Sequence, residues 1–550
     1  MVIFTSPDYD PSDTRVNLYI ADMPSALDSI GTATALIAQA QEIIDQGVAQ
    51  LKALGGVDAE QTLAYDLAHG ASSVATARAC LTYARRGETE AALTLGFLAL
   101  ALSDLHTRIL GREEKWGLSS DWFTPFHSFV GDYRAPAFLS SLAETPGERH
   151  LDEEFQMAAD MFHRFAAENV RPQAEHVHRT NGDIPEHLIS GLAELGGFGL
   201  SVPEEFGGFA TGGESEYLAM VVATEELSWG SLGIGGSLIT RPEIMTRALV
   251  KGGTTEQKQR WLPELASAEK LCAIAVTEPD YGSDVANITC SATRTDGGWL
   301  INGAKTWCTF AARADVLVLL ARTDPDRTKT HRGLSLFLVE KPQGDSHGFE
   351  FTQDTGGKLE GRPIDTLGYR GMHSYSLNFD NWFVPEGCLV GGEEGLGKGF
   401  YFQMAGFENG RIQTAARAVG VMQAAYEAAL DYAQGRKVFG SPVLDFELTR
   451  VKLGTMNCII QCARQFTLEI ARLMGNGGGS AEASMAKAYV CRAAEWVTRE
   501  AMQIFGGMGY AEEYPVSRYF VDARVLSIFE GADETLCLKV VARSLLDSLA

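Results

Sequence analysis

Apolar side chains recur at intervals of three and four along the first part of the chain. Ile30, Leu36, Ile37, Ile43 and Ile44 fall on one face of a helix over residues 26–54, because 3.6 residues per turn brings such spacings to one side. The same period predicts helices over residues 61–86 and 88–111, separated by turns rich in Gly and charge. Residues 1–25, where Pro and Asp cluster, read as irregular. Residues 116–150, rich in Pro, Phe, Ser and Gly, read as a linker. Helical spacing resumes in LDEEFQMAADMFHRFAAENV from Leu151. It should stop before Arg171-Pro172, since proline lacks an amide hydrogen and disfavours helix in the residue preceding it.

Helices continue to about Lys270, and there the period changes. Short β-rich runs follow up to about Val384: CAIAVTE, NITCSATRT, GWLINGAKTW, DVLVLLAR, GLSLFLVEK and SLNFDNWFV. Asp296-Gly297-Gly298 joins two of them as a hairpin turn. Long helices return from about Gly399, Leu448, Ser480 and Thr535, with GNGGGS at 475–480 as a flexible connection. The expected architecture is mostly α with a central antiparallel, barrel-like β domain. Its expected divisions are a helical extension with linker (1–150), a helical domain (151–270), a β domain (271–390) and a helical bundle (391–550).

Composition narrows the function. The 550 residues carry 46 Lys and Arg against 71 Asp and Glu, a net charge of −25. Such a surface repels nucleic acid and anionic membranes, so neither is an expected partner. The nine cysteines show no CxxC pair, and Cys458 and Cys462 lack a His or second Cys pair to complete a metal site. Reduced, buried thiols in a cytoplasmic protein are the expectation, with no metal. MVIFTSPDYDPSD has no basic stretch leading into an apolar run, unlike a secretory signal. The longest apolar run, AALTLGFLALAL at 91–102, is short for a bilayer.

Several short segments carry chemistry. In VTEPDYGSD (276–284), Thr277 and the backbone at Gly282-Ser283 offer donors on a strand-to-loop turn, where glycine permits close approach to a ring or phosphate. Trp307 and Thr309 alternate along a strand and should share a face, one to cover a planar ring and one to hydrogen-bond it. In IFEGADE (528–534), Glu530 follows Ile528-Phe529 and precedes Gly531. A carboxylate in an apolar setting is a stronger base, suited to a weakly acidic proton. The Glu530 amide is a donor available to a carbonyl that gains charge as such a proton leaves. Taken singly, an ordinary turn, a core tryptophan and a solvated glutamate are the commoner explanations of these segments.

Taken together, VPEEFGG (202–208), VTEPDYGSD, GRKVFG (435–440), QIFGGMGY (503–510) and IFEGADE resemble, in order and spacing, the acyl-CoA dehydrogenases over about 400 residues. The resemblance implies FAD bound between subunits of a homo-oligomer, an acyl-CoA substrate, electron-transferring flavoprotein as acceptor, and Glu530 as catalytic base. It places Ile274, Val276, Thr277, Gly282, Ser283, Trp307, Thr309, Arg436, Phe439, Gln503, Gly506, Gly507, Ala532 and Glu534 around FAD. Ser283, Phe407, Glu408, Arg411 and Gly531 fall along the substrate. Some relatives carry the base immediately before an arginine on a bundle helix. Here that position, before Arg411, is Gly410. Phe446-Glu447 and the pair Ala532 and Glu534 depart from the family's usual residues, which leaves the ribose and adenine contacts open.

The extension, together with TRPEIMTRALVKGG (240–253), the run from Asn302 to Arg327, DTLGYRGMHSYS (365–376) and FVDARVLSIFEGADETLCLK (520–539), resembles the branch acting on a short branched dicarboxylic acyl-CoA. The implied reaction takes (2S)-methylsuccinyl-CoA to mesaconyl-CoA in the ethylmalonyl-CoA pathway. Arg241, with Thr240, is the candidate for the substrate's free carboxylate; pairing with Glu243 on the surface is the alternative, and His373 and Tyr375 are weaker candidates. A dimer is expected, with the extension covering the face through which related enzymes form tetramers. Competing readings are another short or branched acyl-CoA, an oxidase or monooxygenase of the same fold, and a DNA-associated flavoprotein.

Overall fold

A computed structural model of the chain describes residues 24–345 and 347–548. The irregular stretch expected before residue 24 lies outside them. The three N-terminal helices are α1 (Ile30–Ala53), α2 (Gln61–Ala84) and α3 (Glu88–Ile109). Helix α3 extends well beyond its apolar run. Its 22 residues and mean hydropathy of 1.2 would suit a membrane span by length and composition alone. Leu93, Leu95, Phe97, Leu98, Leu102 and Leu105 are instead buried in the core of this module.

The segment expected as a linker is part of that core. It forms three short helices, Thr124–Phe126, His127–Tyr133 and Pro136–Ser141. Trp116, Trp122, Phe126, Phe129, Tyr133 and Phe138 are buried against α1–α3. Pro125 and Pro136 stand in first turns, where a missing amide costs no helical hydrogen bond. The module is also fixed to the rest of the chain by buried bonds. Tyr426 Oη donates to Ala143 O (2.7 Å), Asn457 Nδ2 to Leu142 O (3.1 Å), and Cys80 Sγ to Cys462 O (3.6 Å).

Helix α4 (Glu153–Phe165) does not stop before Pro172. It runs through a π-helical turn, Ala166–Val170, into α5 (Arg171–Thr180). The wider turn puts Pro172 in the first turn of the new segment, where its lack of an amide is tolerated. Then come α6 (Glu186–Glu194), α7 (Gly213–Gly230), α8 (Thr240–Gly252) and α9 (Thr255–Ala266). Thr254 and Gln257 cap α9 reciprocally, each side chain accepting from the other's amide.

Eight strands form the central sheet: β1 (Cys272–Ala275), β2 (Ser291–Thr295), β3 (Gly298–Thr309), β4 (Val316–Arg322), β5 (Leu334–Glu340), β6 (Phe349–Thr352), β7 (Lys358–Ile364) and β8 (Ser374–Pro385). Their order is β1-β4-β2-β3-β8-β7-β6, with β5 also on β4. The sheet is mixed rather than wholly antiparallel, since β1 and β2 follow one another in parallel beside β4. The β2–β3 hairpin turns where expected, pairing Thr295 with Gly298 across Gly297 at φ +76°.

The C-terminal bundle contains α10 (Gly399–Gly435), α11 (Glu447–Gly475), α12 (Ser480–Ile504) and α13 (Pro515–Val525). A small hairpin, β9 (Lys437–Val438) with β10 (Ser441–Pro442), follows α10. Helix α10 is the central element, its alanines buried against α7, α8, α11 and α12. At Gly420 a Cβ would stand 2.2 Å from Glu225 O, so α7 and α10 touch backbone to backbone only because this residue is glycine.

Candidate active site

Three elements converge on Glu530: the loop after α13, the first third of α10 and the start of α8. The loop turns sharply, with Glu530 at φ +54° and Gly531 at φ +96°. Left-handed backbone at a glutamate is unusual and marks a position held by its surroundings. Lys487, fully buried on α12, donates from Nζ to Gly531 O at 2.5 Å. Burial lowers the Lys487 pKa, although Cys491, Glu530 and Asp533 nearby raise it. Glu530 Oε2 is buried without a hydrogen-bond partner. Among the described residues no hydrogen bond engages the Glu530 amide either.

The carboxylate lies against Gly410 of α10. A Cβ built there would stand 2.9 Å from Glu530 Oε2 and 4.0 Å from Ile244 Cδ1. The two base positions of the family pattern thus occupy one place, and glycine at one makes room for glutamate at the other. Gly410→Ala is expected to turn the carboxylate aside and lower kcat several-fold with unchanged thermal stability, readable by stopped-flow flavin reduction beside a melting curve. Arg411 Nη1 donates to Ser484 Oγ at 3.2 Å, and burial lowers its pKa against the charges of Glu408 and Glu530.

The residues expected around FAD are mostly exposed glycines, hydroxyls and bare rings. Trp307 is 57% exposed and Phe439 is 96% exposed. Arg436, Gln503, Gly506, Gly507, Gly282, Ser283 and Glu534 are also exposed, while Ile274, Thr277, Thr309 and Ala532 are half-buried and Val276 is buried. Nothing lies within 4 Å of a Cβ built at Gly506 or Gly507. Rings left in water beside glycines that admit a close neighbour fit a large planar cofactor with a pyrophosphate. Thr535 Oγ1 donates to Ser283 Oγ (3.0 Å), joining the Glu530 loop to the VTEPDYGSD turn.

Trp307 and Thr309 do not share a face by simple alternation. The register of β3 on β8 shifts between Lys305 and Cys308, and Trp307 takes φ +57° inside that bulge. The bulge redirects the indole outward, while Thr309 Oγ1 stays 3.1 Å from Ser374 Oγ. Beneath lies a pair that the sequence reading missed. Lys305 Nζ and Glu278 Oε1 meet at 2.9 Å, fully buried, and Glu278 also accepts from the Thr289 and Cys290 amides. This pair fastens the VTEPDYGSD turn to the sheet.

Arg241 is not a surface partner of Glu243. Glu243 is buried against Arg247 (3.4 Å), Asn409 (3.1 Å) and Gln413, and burial raises its pKa. Arg241 is only 7% exposed, donating to Ser237 O (2.6 Å) and Tyr369 Oη (3.2 Å). A second arginine, Arg417 of α10, reaches the same hydroxyl at 3.5 Å and is fully buried. Arg247, Lys305 and Arg464 have carboxylates, whereas among the described residues none lies within 4.0 Å of Arg241 or Arg417. Burial disfavours the Tyr369 phenolate, yet the two guanidiniums outweigh it and hold its pKa below the ordinary value. Arg417 Nε and Thr240 Oγ1 are buried without partners.

This basic cluster adjoins the Glu530 loop. Arg417 stacks over the Phe529 ring at 4.9 Å and Tyr369 meets it edge-on at 5.5 Å. Arg241 and Ile244 share a face of α8, so apolar contact beside Gly410 grades into cationic contact one turn away. His373 and Tyr375 belong elsewhere: His373 Nε2 is 3.2 Å from Asp183 Oδ1, and Tyr375 Oη donates to Asp345 O. Among the other substrate-side candidates, Phe407 is half-buried, and Glu408 accepts from Ser480 Oγ at 3.2 Å.

Three family profiles match the chain: "Acyl-CoA dehydrogenase, N-terminal domain" over residues 152–269, "middle domain" over 273–382 and "C-terminal domain" over 397–546. A (2S)-methylsuccinyl-CoA dehydrogenase of Cereibacter sphaeroides is 46% identical over 405 residues, 73% of this chain and 71% of that one. A glutaryl-coenzyme A dehydrogenase in complex with glutaryl-CoA superposes with TM-score 0.66 at 30% identity, covering 73% of this chain and 96% of its own. The butyryl-CoA dehydrogenase of Megasphaera elsdenii gives TM-score 0.65 at 29% identity, covering 72% and 100%.

Proposed function

The chain belongs to the acyl-CoA dehydrogenase family and is an FAD-dependent oxidoreductase, and from that premise we propose that it oxidises (2S)-methylsuccinyl-CoA to mesaconyl-CoA. The observation that carries the choice of substrate is the pair of buried, acid-free guanidiniums of Arg241 and Arg417 beside the Glu530 loop. The acyl group of methylsuccinyl-CoA bears a carboxylate on its β-carbon. Buried cations without counter-ions favour such an anion, and bidentate guanidinium bonds fix its orientation.

In this reading Glu530 takes the α-proton, one oxygen of its carboxylate buried and free of competing bonds. The Glu530 amide hydrogen-bonds the thioester carbonyl, where negative charge develops as the proton leaves. Arg241, Arg417 and Tyr369 hold the far carboxylate, which turns the single α-hydrogen toward the base and fixes which of the two β-hydrogens faces away from it. FAD, when bound, supplies the hydride acceptor on the opposite face. Trp307, Thr309, Val276 and Thr277 would line its flavin, Ser283 would lie between its pyrophosphate and the CoA chain, and Arg436, Phe439, Gln503 and the Gly506-Gly507 rim would hold its remainder across a homodimer. Electrons pass to electron-transferring flavoprotein, in the cytoplasm and within the ethylmalonyl-CoA pathway. The acidic surface and the free, mostly buried thiols support that setting.

Anaerobic bleaching of the bound flavin by a panel of thioesters tests the proposal. Rapid bleaching by methylsuccinyl-CoA, with little by butyryl-, isobutyryl- or glutaryl-CoA, is the expected result. Preference for butyryl- or isobutyryl-CoA would overturn the dicarboxylate assignment. Preference for glutaryl-CoA, with its carboxylate one carbon farther out, would retain the arginines and discard methylsuccinyl-CoA.

A further inference from the structure

The N-terminal module reaches the catalytic loop directly. Tyr65 and His69 stand one turn apart on α2 and point at Asp533, three residues beyond Glu530. Tyr65 Oη donates to Asp533 Oδ2 at 2.5 Å, and His69 Nε2 lies 3.1 Å from the same oxygen. Cys537 Sγ sits 3.5 Å from His69 Nε2, and Arg492 of α12 reaches Tyr65 Oη at 3.3 Å. His69 is 2% exposed. Burial lowers its pKa against the pull of Asp533, and the Asp533 carboxylate, although buried, is held low by the bonds from His69 and Tyr65. The cluster sets an imidazole and a phenol against one buried carboxylate.

The contact matters because among the described residues no hydrogen bond aims the buried oxygen of Glu530. Its buried oxygen has no partner, so its position follows from the backbone at φ +54° and +96°. Besides the Thr535–Ser283 bond and the packing of Phe529 on Arg417 and Tyr369, that backbone is tied on either side of the turn. On one side Lys487 takes Gly531 O. On the other, Asp533 caps its own turn through its amide to Ser527 O (3.1 Å), while its carboxylate is gripped by the module. A left-handed glutamate is strained and relaxes unless both ends of the turn are fixed.

We propose that Tyr65 and His69 are positioning residues that hold Glu530 in its reactive orientation through Asp533. The N-terminal module is thereby a working part of the active site as well as a packing element. The inference rests on Glu530 being the base. It requires that loosening Asp533 slows proton abstraction while leaving acyl-CoA affinity intact, since neither residue faces the arginine cluster.

The test uses the full-length holoenzyme and methylsuccinyl-CoA, comparing Tyr65→Phe, His69→Gln, His69→Ala and the double variant Tyr65→Phe/His69→Ala. Asp58→Asn serves as a control that loosens another module contact, the exposed pairs with Lys539 and Arg543. In the double variant the flavin-reduction rate is expected to fall on the order of ten- to hundred-fold with KM within about two-fold, as for a misplaced catalytic group. His69→Gln, which keeps a donor, should recover most of the rate lost in His69→Ala. Hydrogen exchange over residues 526–540 should quicken in the double variant and not in Asp58→Asn. A double variant with wild-type rate and wild-type exchange overturns the proposal, as does a rate loss matched equally by Asp58→Asn. If the double variant fails to fold, Tyr65→Phe, which removes one oxygen, decides the question by the same readouts. Failure of the base assignment shows separately, as a Glu530→Gln enzyme that still reduces its flavin.

Discussion

Glu530→Gln is expected to give a folded, flavin-containing protein whose flavin is reduced by methylsuccinyl-CoA on the order of 10³–10⁴ times more slowly than in the wild type. The substitution keeps the volume and removes only the ability to accept a proton. It should fold because Glu530 Oε2 has no hydrogen-bond partner to lose, and an amide beside Gly410 meets the same space. The left-handed turn belongs to the backbone, fixed by Lys487 on Gly531 O, so it survives the change. Substrate should still bind, since the arginines and the Glu530 amide are untouched. A charge-transfer or perturbed flavin spectrum without bleaching would report that complex. A variant retaining more than about a tenth of the wild-type rate would move the base elsewhere, because positioned general bases contribute far more than that.

The sequence showed the catalytic loop more clearly than the substrate pocket, for a physical reason. Glu530, Gly531 and Gly410 sit where backbone geometry demands particular residues, and such positions leave local patterns. Arg417 and Tyr369 act through tertiary contact, across α10, the β7–β8 connection and the Glu530 loop, and no spacing connects them. A faint trace was present: Arg417 is a lone charge in TAARAVG, among small residues that a buried helix favours. The same distinction explains the two misread segments. In residues 116–150 the aromatics at 122, 126, 129 and 133 repeat helically, but Pro and Gly obscured the period. At Pro172 a local rule was right about the missing amide and wrong about the outcome, since a π-helical turn absorbed it. The bulge at Trp307 was invisible because strict alternation is the default reading of a strand.

Arg417→Met and Arg241→Met are expected to raise KM for methylsuccinyl-CoA about 10²-fold each, as when a buried charge-paired contact worth some 3 kcal/mol is lost. The effect on the free enzyme should run the other way. Both guanidiniums bond the Tyr369 hydroxyl, at 3.2 and 3.5 Å, so the two cations stand within about 7 Å of each other. At an effective dielectric constant near 20, two like charges at that distance repel by about 2 kcal/mol. No carboxylate offsets this among the described residues, only a tyrosine whose pKa is pulled down in response. Replacing either arginine with methionine keeps the stem packed on Phe529 or α8 and relieves the repulsion. Each variant is therefore expected to melt no lower than the wild type in the absence of substrate, while losing the stabilisation that methylsuccinyl-CoA confers. The double variant should accept 2-methylbutyryl-CoA better than methylsuccinyl-CoA, because an apolar acyl end then meets an apolar wall. Melting curves with and without each thioester, beside steady-state KM values, read all three effects. If the variants melt lower and bind methylsuccinyl-CoA as before, the cluster is a structural network and the substrate carboxylate is held elsewhere.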